Sequence, residues 1–313
     1  MVYVIKRILA TIPVMVVVAL FVFCIIRLGP GDPASVIAGD YATAEDIQEI
    51  RIKLGLADPI PVQMGKWFVQ LASGDLGKSY HSNMQVTKLI SQRIEPTLLL
   101  AATTIILTIL VAIPLGTLAA YKAGSWVDKF VMIFSVAGFS IPVFVLGYIL
   151  VYIFAMELRW LPVQGYRSPF DDSFLQFVKH ITMPAVTLSV IYIALISRMT
   201  RASVVEVLNE DYVRTARAKG QSEFKILLRH ALPNAAVPIV TVLGISIALM
   251  IGGGVVTESV YNIPGLGRLV LDAVLSRDYG VIQGLILFFS FIYIFINLLI
   301  DLSYTLIDPR IRY

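Results

Sequence analysis

Residues 72–79 come closest to a phosphate-binding loop, because they read A-S-G-D-L-G-K-S and keep the second glycine, the lysine and the serine of that pattern. Alanine stands where the first glycine belongs. A phosphate loop also follows a buried strand and precedes a helix, and neither is evident in the flanking sequence. We therefore interpret Gly74, Asp75 and Gly77 as turn residues and expect no nucleotide site here.

Metal binding and catalysis have few candidate side chains. The three histidines, His81, His180 and His230, fall in separate segments, and the single cysteine, Cys24, lies in an apolar run. These residues cannot form a cluster of metal ligands, and one cysteine cannot form a disulfide within the chain. The apolar runs also lack a nucleophile–base pair or a metal set. We therefore predict that the chain is not itself an enzyme and has no cofactor of its own.

The most distinctive polar segment is the charged loop 198–234, which lies between two apolar runs and reads E-D-Y-V-R-T-A-R-A-K-G from residue 210. Acidic residues begin this part, where a helix dipole favours them, and Gly220 can take the left-handed conformation that ends a helix. Ser222 can cap a second helix, which Pro233 would end. The loop is thus predicted to be a helix–turn–helix. The second helix would have one apolar face, made by Phe224, Leu227, Leu228 and Ala231.

Membrane-spanning helices are the elements that must hold this loop. The chain is 58% hydrophobic and 15% charged, whereas soluble domains are about half apolar and about a quarter charged. Apolar runs of about 18 residues or more cross a bilayer as helices. Six runs are found, near residues 8–26, 97–120, 130–156, 183–197, 235–257 and 281–300. We expect the fourth to continue past Arg198, and Pro114 and Pro142 to kink the second and third.

The distribution of Lys and Arg predicts the orientation. With the N-terminus inside, the inner segments hold 13 Lys and Arg in 66 residues, and the outer segments hold 12 in 119. This density difference agrees with the positive-inside rule, so both termini are predicted to be cytoplasmic. The net charge of +4 has the same origin and does not indicate a nucleic-acid partner.

The long outer loop, residues 27–96, can carry small structure of its own. Residues 43–46 resemble a capping box at the start of a helix, and Gly55 suits its end. Residues 62–71 form an amphipathic stretch that would lie on the membrane face or pack on helix ends. The predicted organisation is an N-terminal helix (1–26), this outer loop, and a five-helix core (97–313).

Polar and small residues within or beside the apolar runs are candidates for a gate or a translocation path. We single out Ser140, Ser189, Tyr192, Gly252, Gly253, Gly254 and Glu258. The same residue types also serve helix–helix packing, and both interpretations stay open. The six apolar cores contain no ionisable residue, which argues against a proton-coupled carrier.

The charged loop resembles the EAA motif of ABC importer permeases, in which a glycine is followed thirteen residues later by a proline. Gly220 and Pro233 match this spacing, residues 214–216 (R-T-A) replace E-A-A, and His230 replaces an isoleucine. The run R-T-A-R-A-K-G with H-A-L-P-N is similar to the dipeptide/oligopeptide/nickel permease family. Further motifs of that family lie at residues 28–33, 74–80, 258–268 and 308–313.

The resemblance implies an all-α fold like that of type I ABC importer permeases, with six transmembrane helices in the bacterial inner membrane. It implies a coupling loop, about 201–234, that docks on a separate ATPase. The docking residues would be Glu210, Asp211, Tyr212, Arg214, Thr215, Ala216, Ala218, Lys219 and Gly220.

The resemblance further implies that this chain is the first of two homologous permease subunits. Its partners would be two ATPases, which bind ATP and Mg²⁺, and an extracytoplasmic solute-binding protein. The expected substrate is a dipeptide or short oligopeptide, with glutathione and nickel as alternatives. A self-contained secondary carrier is the rival class.

Overall fold

The computed structural model describes residues 2–28, 33–38, 42–53, 55–171 and 173–307, so motif residues 29–32 and 308–313 lie outside the described part. Every regular element of the described residues is helical, which confirms the all-α prediction. The helices are α1 (Val2–Leu28), α2 (Pro33–Ala38), α3 (Ala44–Lys53), α4 (Ile60–Ala72), α5 (Val86–Tyr121), α6 (Trp126–Ser140), α7 (Val143–Leu150, continued as a π-helix over Val151–Glu157), α8 (Phe174–Leu208), α9 (Asp211–Ala218), α10 (Glu223–Ile226, continued as a π-helix over Leu227–Ala231), α11 (Leu232–Asn234), α12 (Ala236–Val260), α13 (Leu266–Leu275) and α14 (Tyr279–Ile307).

Several helices are long and apolar enough to cross a membrane. Within the described residues, α5, α8 and Tyr279–Ser303 of α14 meet the length and composition of a span by themselves. Two bent pairs raise the number to five: α6 with Val143–Glu157, and Glu223–Asn234 with Ala236–Ile251. The predicted first run falls in α1, whose apolar part Leu9–Cys24 is shorter than the 18 residues required of a span. Helix α8 extends past Arg198 to Leu208, as predicted for the fourth run.

The third predicted run is sharply bent, by 101° between α6 and α7. Ile141 is extended, with φ −89° and ψ 120°, because the ring of Pro142 disfavours a helical conformation in the residue before it. Proline also has no N–H to continue the helix. The predicted kink at Pro142 is therefore confirmed. Pro114, in contrast, lies inside the unbroken helix α5.

The chain divides into two packing units, and the first comprises residues 1–95 with 268–292. In this unit, α4 packs Trp67, Phe68 and Leu71 against α1 and α14, so the amphipathic stretch packs on other helices, one of the two predicted arrangements.

The predicted capping box at the start of α3 is present in this unit. The Asp46 carboxylate accepts hydrogen bonds from the N–H and hydroxyl of Thr43, and the Thr43 hydroxyl accepts one from the Asp46 N–H. At the other end, Gly55 has φ +67°, as predicted for a helix end.

Residues 72–79, whose sequence partly matches a phosphate loop, form turns in the first unit. Gly74 and Gly77 have φ of +79° and +87°, which confirms the turn prediction. The segment is anchored by Asp278, which is buried and accepts hydrogen bonds from the Ser79 hydroxyl at 2.5 Å and the Tyr80 N–H at 3.1 Å. Burial raises the pKa of the Tyr80 hydroxyl.

The second unit comprises residues 96–267 with 293–313. Helix α8 is its most buried long helix, and α6, α7 and α12 pack on it. Close approach depends on small residues, as is common between membrane helices. A Cβ at Gly138 of α6 would lie 3.1 Å from the Cβ of Ala194, and 3.4 Å from the carbonyl oxygen of Val190. The candidate coupling site lies in this unit.

Candidate coupling site

Helix α9 begins and ends with the signals that the sequence predicts. Asp211 lies in its first turn and Arg217 in its last, where each charge is favoured by the helix dipole. At its end, the Gly220 N–H donates to the Arg217 carbonyl at 2.9 Å and the Gln221 N–H to the Ala216 carbonyl at 3.3 Å. These two bonds form a Schellman motif. Gly220 supplies the left-handed residue, with φ +76°.

One face of α9 is fixed to the rest of the second unit. Val213 is fully buried and Ala216 nearly so, and both pack with Ile226 of α10. Val207 and Leu208, at the end of α8, complete this small apolar cluster. The cluster sets the direction in which the opposite face of α9 points.

That opposite face is exposed. The exposed residues are Glu210, Asp211, Tyr212, Arg214, Thr215, Arg217, Ala218, Lys219 and Gly220. Burial and the Glu210 carboxylate both raise the pKa of the Tyr212 hydroxyl. Ala216, which the sequence grouped with the docking residues, lies on the buried face, because helical spacing puts it beside Val213. Its side chain packs with Val213 and Ile226 instead of facing outward.

Two side-chain contacts that the sequence did not predict stiffen the turn after α9. Arg217 forms an ion pair with Glu223 at 2.8 Å, and this hydrogen bond raises the pKa of the Arg217 guanidinium. His230 and Gln221 are joined by a 2.9 Å hydrogen bond between Nε2 and Oε1. His230 is therefore part of the turn itself.

The predicted apolar face of the second helix is present, but its residues differ in burial. Leu227 and Ala231 are buried beside Val204 of α8, whereas Phe224 and Leu228 are 72% and 49% exposed. Phe224, Leu227 and Leu228 line one apolar groove of about 430 Å³. Its lining residues are Ile113, Pro114, Thr117, Leu118, Tyr121, Phe224, Leu227, Leu228 and Leu232.

The helical run that begins after Ser222 ends at Asn234, one residue past the predicted end at Pro233. The chain bends by 60° there before α12 begins. The second part of the loop is therefore a helix joined to α12 by a bend.

An ion pair that the sequence analysis missed supports the base of the coupling loop. Arg201 of α8 donates from both Nε and Nη2 to the carboxylate of Asp128 in α6, the second bond being 2.7 Å long. Asp128 is buried and also accepts from the Gly124 N–H at 2.9 Å. The pair links the α5–α6 turn to α8. The sequence gives little signal for it, because Asp128 is the single acid of inner segment 121–129 but Arg201 is one of seven basic residues in 198–234.

The candidate path residues whose surroundings the structure describes lie in different environments. Ser189 and Tyr192 of α8 are buried inside the second unit, which favours the packing interpretation for both. Ser140 is exposed at the bend after α6, where its hydroxyl donates to the Val136 carbonyl at 2.9 Å. The three glycines 252–254 lie in α12, and Gly254 is buried.

Glu258 is the most unusual of these candidates. Helix α12 extends beyond the predicted run to Val260, so this carboxylate belongs to the helix and is 0% exposed. Its Oε1 accepts a 2.6 Å hydrogen bond from the hydroxyl of Thr97 in α5. The predicted fifth apolar run ends at residue 257. The expectation that the apolar cores lack ionisable residues therefore did not cover Glu258, the buried acid that follows.

Comparison with known proteins matches these features to one family. The sequence profile described as "Binding-protein-dependent transport system inner membrane component" matches residues 112–313, and the one described as "Binding-prot-dependent transport system membrane comp, N-term" matches residues 1–101. A solved structure of the MetNI methionine ABC transporter, in an inward-facing conformation, aligns with a TM-score of 0.58, covering 71% of this chain and 97% of that chain. At 17% identity, this similarity shows the fold alone.

Relatives with curated names align over almost the full length. The probable peptide ABC transporter permease protein y4tP of Sinorhizobium fredii is 53% identical, over 100% of this chain and 99% of that protein. A putative peptide transport system permease protein of Brucella abortus is 44% identical, over 99% and 98% of the two chains. The glutathione transport system permease protein GsiC of Salmonella paratyphi A is 43% identical, over 99% of each.

With two family profiles and full-length relatives, the assignment is secure, and the chain is a multi-pass membrane protein. It belongs to the family of inner membrane components of binding-protein-dependent transport systems, the permease subunits of ABC importers.

Proposed function

We propose that this permease subunit imports dipeptides or short oligopeptides and is driven by separate ATPase subunits that contact it through α9. The observation that carries the coupling proposal is the geometry of α9. One face is buried against Ile226 and the end of α8. On the other face, Asp211, Arg214 and Lys219 are exposed on the protein surface. A helix fixed on one side and exposed on the other can transmit a push from a bound partner into α8.

The energy source in this proposal lies outside the chain. The segment that most resembles a phosphate loop forms turns at Gly74 and Gly77 rather than a strand–loop–helix. ATP and Mg²⁺ would therefore be bound by two partner ATPases on the cytoplasmic side. A second homologous permease and an extracytoplasmic solute-binding protein complete the proposed complex, with both termini of this chain in the cytoplasm.

A peptide is the favoured substrate because two relatives, at 53% and 44% identity, are named as peptide permeases. Glutathione is the second candidate, since the GsiC relative is 43% identical over 99% of both chains. Both substrates are small molecules with peptide groups, and the same path could pass either. The solute-binding protein would then select between them.

The proposal is tested by measuring ATP hydrolysis and uptake by the reconstituted complex. The chain is co-expressed with the second permease and the ATPases of its system and placed in nanodiscs for hydrolysis and in proteoliposomes for uptake. The solute-binding protein is added empty, or loaded with a dipeptide, with glutathione or with Ni²⁺. We expect dipeptide to give the largest stimulation and uptake. Stimulation by glutathione or nickel alone would assign the substrate differently, and uptake by this chain alone would contradict an ATP-driven permease.

Docking by α9 is tested with Ala218→Asp, which puts a charge on the exposed face without touching the buried cluster. Ala57→Asp is the matched control, because Ala57 is also exposed but lies in the predicted outer loop. We expect Ala218→Asp to abolish stimulation or ATPase assembly while Ala57→Asp behaves as wild type. Equal activity of the two variants would contradict the docking role of α9. Ala216 is unsuitable for this test because it is buried.

A further inference from the structure

Residues 258–267, which we call the anchoring segment, contain a buried polar network. The Thr97 hydroxyl donates to Glu258 at 2.6 Å and accepts the N–H of Leu266 at 2.8 Å. One hydroxyl of α5 is thus bonded to both the end of α12 and the start of α13. All three residues are almost completely buried, so water does not replace these bonds.

Tyr261 forms a second set of bonds in the same segment. Its hydroxyl lies 2.7 Å from the Thr187 hydroxyl of α8 and donates to the Gly147 carbonyl of α7 at 3.2 Å. Its backbone carbonyl accepts the N–H of Gly165, in the α7–α8 connection, at 2.9 Å. The tyrosine is 1% exposed.

The glycines of the anchoring segment are required for this packing. A Cβ at Gly265 would overlap all three atoms of the Glu258 carboxyl group, and a Cβ at Gly267 would lie 3.0 Å from its Oε2. The segment turns back onto α12 at Asn262, which has φ +53°, and the Ile263 N–H donates to the Glu258 carbonyl at 2.8 Å. The carboxylate is therefore enclosed by the loop that follows it.

We propose that Glu258 and Tyr261 are positioning residues for transport, which hold the end of α12 at a fixed place relative to α5, α7 and α8 throughout the cycle. This inference rests on the proposed coupling through α9, which connects directly to α8. A displacement of α8 moves α12 and α5 by the same amount only while these buried bonds hold. Because unpaired polar groups are costly when buried, the network favours one fixed arrangement over a range of angles.

The direct test is a distance measurement by electron paramagnetic resonance in the assembled complex. Cys24 is the single cysteine, so Cys24→Ser gives a background for labelling Leu98→Cys in α5 and Val256→Cys in α12. Both sites are exposed, at 44% and 43%. We expect the same mean distance in nucleotide-free complex and in complex trapped with ATP and vanadate. A shift between the two states would overturn the proposal.

Variants add a functional readout, the amount of peptide transported per ATP hydrolysed. Glu258→Ala and Tyr261→Phe should broaden the label distances and lower transport per ATP by about fivefold, the lower end of typical coupling between sites. Glu258→Gln keeps an acceptor for Thr97 and should restore most of the ratio. Unchanged ratios and distances in both Tyr261→Phe and Glu258→Ala would overturn the proposal. So would activity that falls only in proportion to folded complex.

The outcome is separable from that of the proposed function. If no peptide stimulates the wild-type complex, the substrate proposal fails, while the label distances still decide the role of the anchoring segment. If wild type is stimulated and the variants keep a normal ratio, only the inference about Glu258 and Tyr261 fails.

Discussion

Helix α9 and the anchoring segment (residues 258–267) are both short, but they are held by opposite means. Helix α9 is held from one side, by Val213 and Ala216 and by the backbone bonds of the Gly220 turn. In its ion pair with α10, the side chains of Arg217 and Glu223 are 41% and 38% exposed. The other face of α9 is left open.

The anchoring segment is instead bonded on several sides by buried groups. Glu258 and Tyr261 are 0% and 1% exposed and bond to side chains of α5 and α8. Buried polar networks are costly when any member is lost, whereas exposed pairs contribute little. The comparison supports the two proposals, that α9 contacts a partner and that the anchoring segment holds its neighbours in place. Substitutions in the two regions should therefore differ in size and kind.

The largest effect is expected from Gly265→Ala in the anchoring segment. The new Cβ overlaps the Glu258 carboxyl group, so the acid must leave its site or the loop must move, at a cost of about 3 kcal/mol in the free energy of unfolding. Thermal unfolding in detergent measures the change. Gly65→Ala is the control, because nothing lies within 4 Å of its Cβ and alanine stabilises a helix by up to ~1 kcal/mol. Equal stability of the two variants would mean that the enclosure of Glu258 is loose.

Asp128→Asn should have the next largest effect and would show whether the base of the coupling loop depends on a buried charge. Removing this carboxylate leaves Arg201 without its charged partner, and breaking such buried pairs costs about 3 kcal/mol. We expect a lower unfolding temperature together with weaker stimulation of ATP hydrolysis. Asp58→Asn is the control, since Asp58 and Lys66 form a 2.7 Å pair whose side chains are 36% and 66% exposed. A similar loss of stability in both variants would contradict the prediction.

Gly220→Ala and Gly74→Ala separate stability from coupling. Their φ values are +76° and +79°, and no atom lies within 4 Å of either added Cβ. Each substitution should therefore cost about 1–2 kcal/mol from left-handed strain alone. Only Gly220→Ala should also weaken stimulation, because it disturbs the end of α9. If Gly74→Ala weakens stimulation equally, the loss comes from stability rather than from docking.

The smallest effect is expected from Arg217→Gln at the end of α9. Partly exposed ion pairs contribute up to ~1 kcal/mol, and the difference from wild type should shrink at high salt. A double-mutant cycle with Glu223→Gln measures the pair alone. A coupling free energy above about 2 kcal/mol, well beyond the usual range for exposed pairs, would place this turn with the buried networks and weaken the contrast between the two regions.

Local signals predicted the ends of several helices well. The acidic start of α9, the glycine that ends it and the capping box at Thr43 each depend on residues a few positions apart. The bend at Pro142 likewise follows from the proline itself. The inward direction of Ala216 was missed because it depends on where α8 and α10 lie. The different burial of Phe224 and Leu227 on the second helix was not predicted, because it depends on where α8 lies.

The residues that hold the helices together were harder to predict. Thr97 and Glu258 are 161 residues apart in sequence, Ser79 and Asp278 are 199 apart, and the Asp128–Arg201 pair spans 73 positions. The hydropathy pattern does not predict which polar residues form hydrogen bonds or ion pairs with each other. For this reason Glu258 was noted only as a candidate for a gate, and Tyr261 only as part of a family motif.

Sequence alone determined that the chain is helical, lies in a membrane, presents a charged helix–turn–helix and belongs with ABC importer permeases. The first three properties follow from hydropathy and helix-end chemistry, which are local along the chain, and the last is a resemblance of motifs that the family comparison confirmed. Only the tertiary structure decided that Ala216 faces inward and that Asp128 pairs with Arg201. It also decided that Glu258 is enclosed by its own loop. Such contacts form when distant segments pack, and the free energy of a buried polar group depends on the partner that packing supplies.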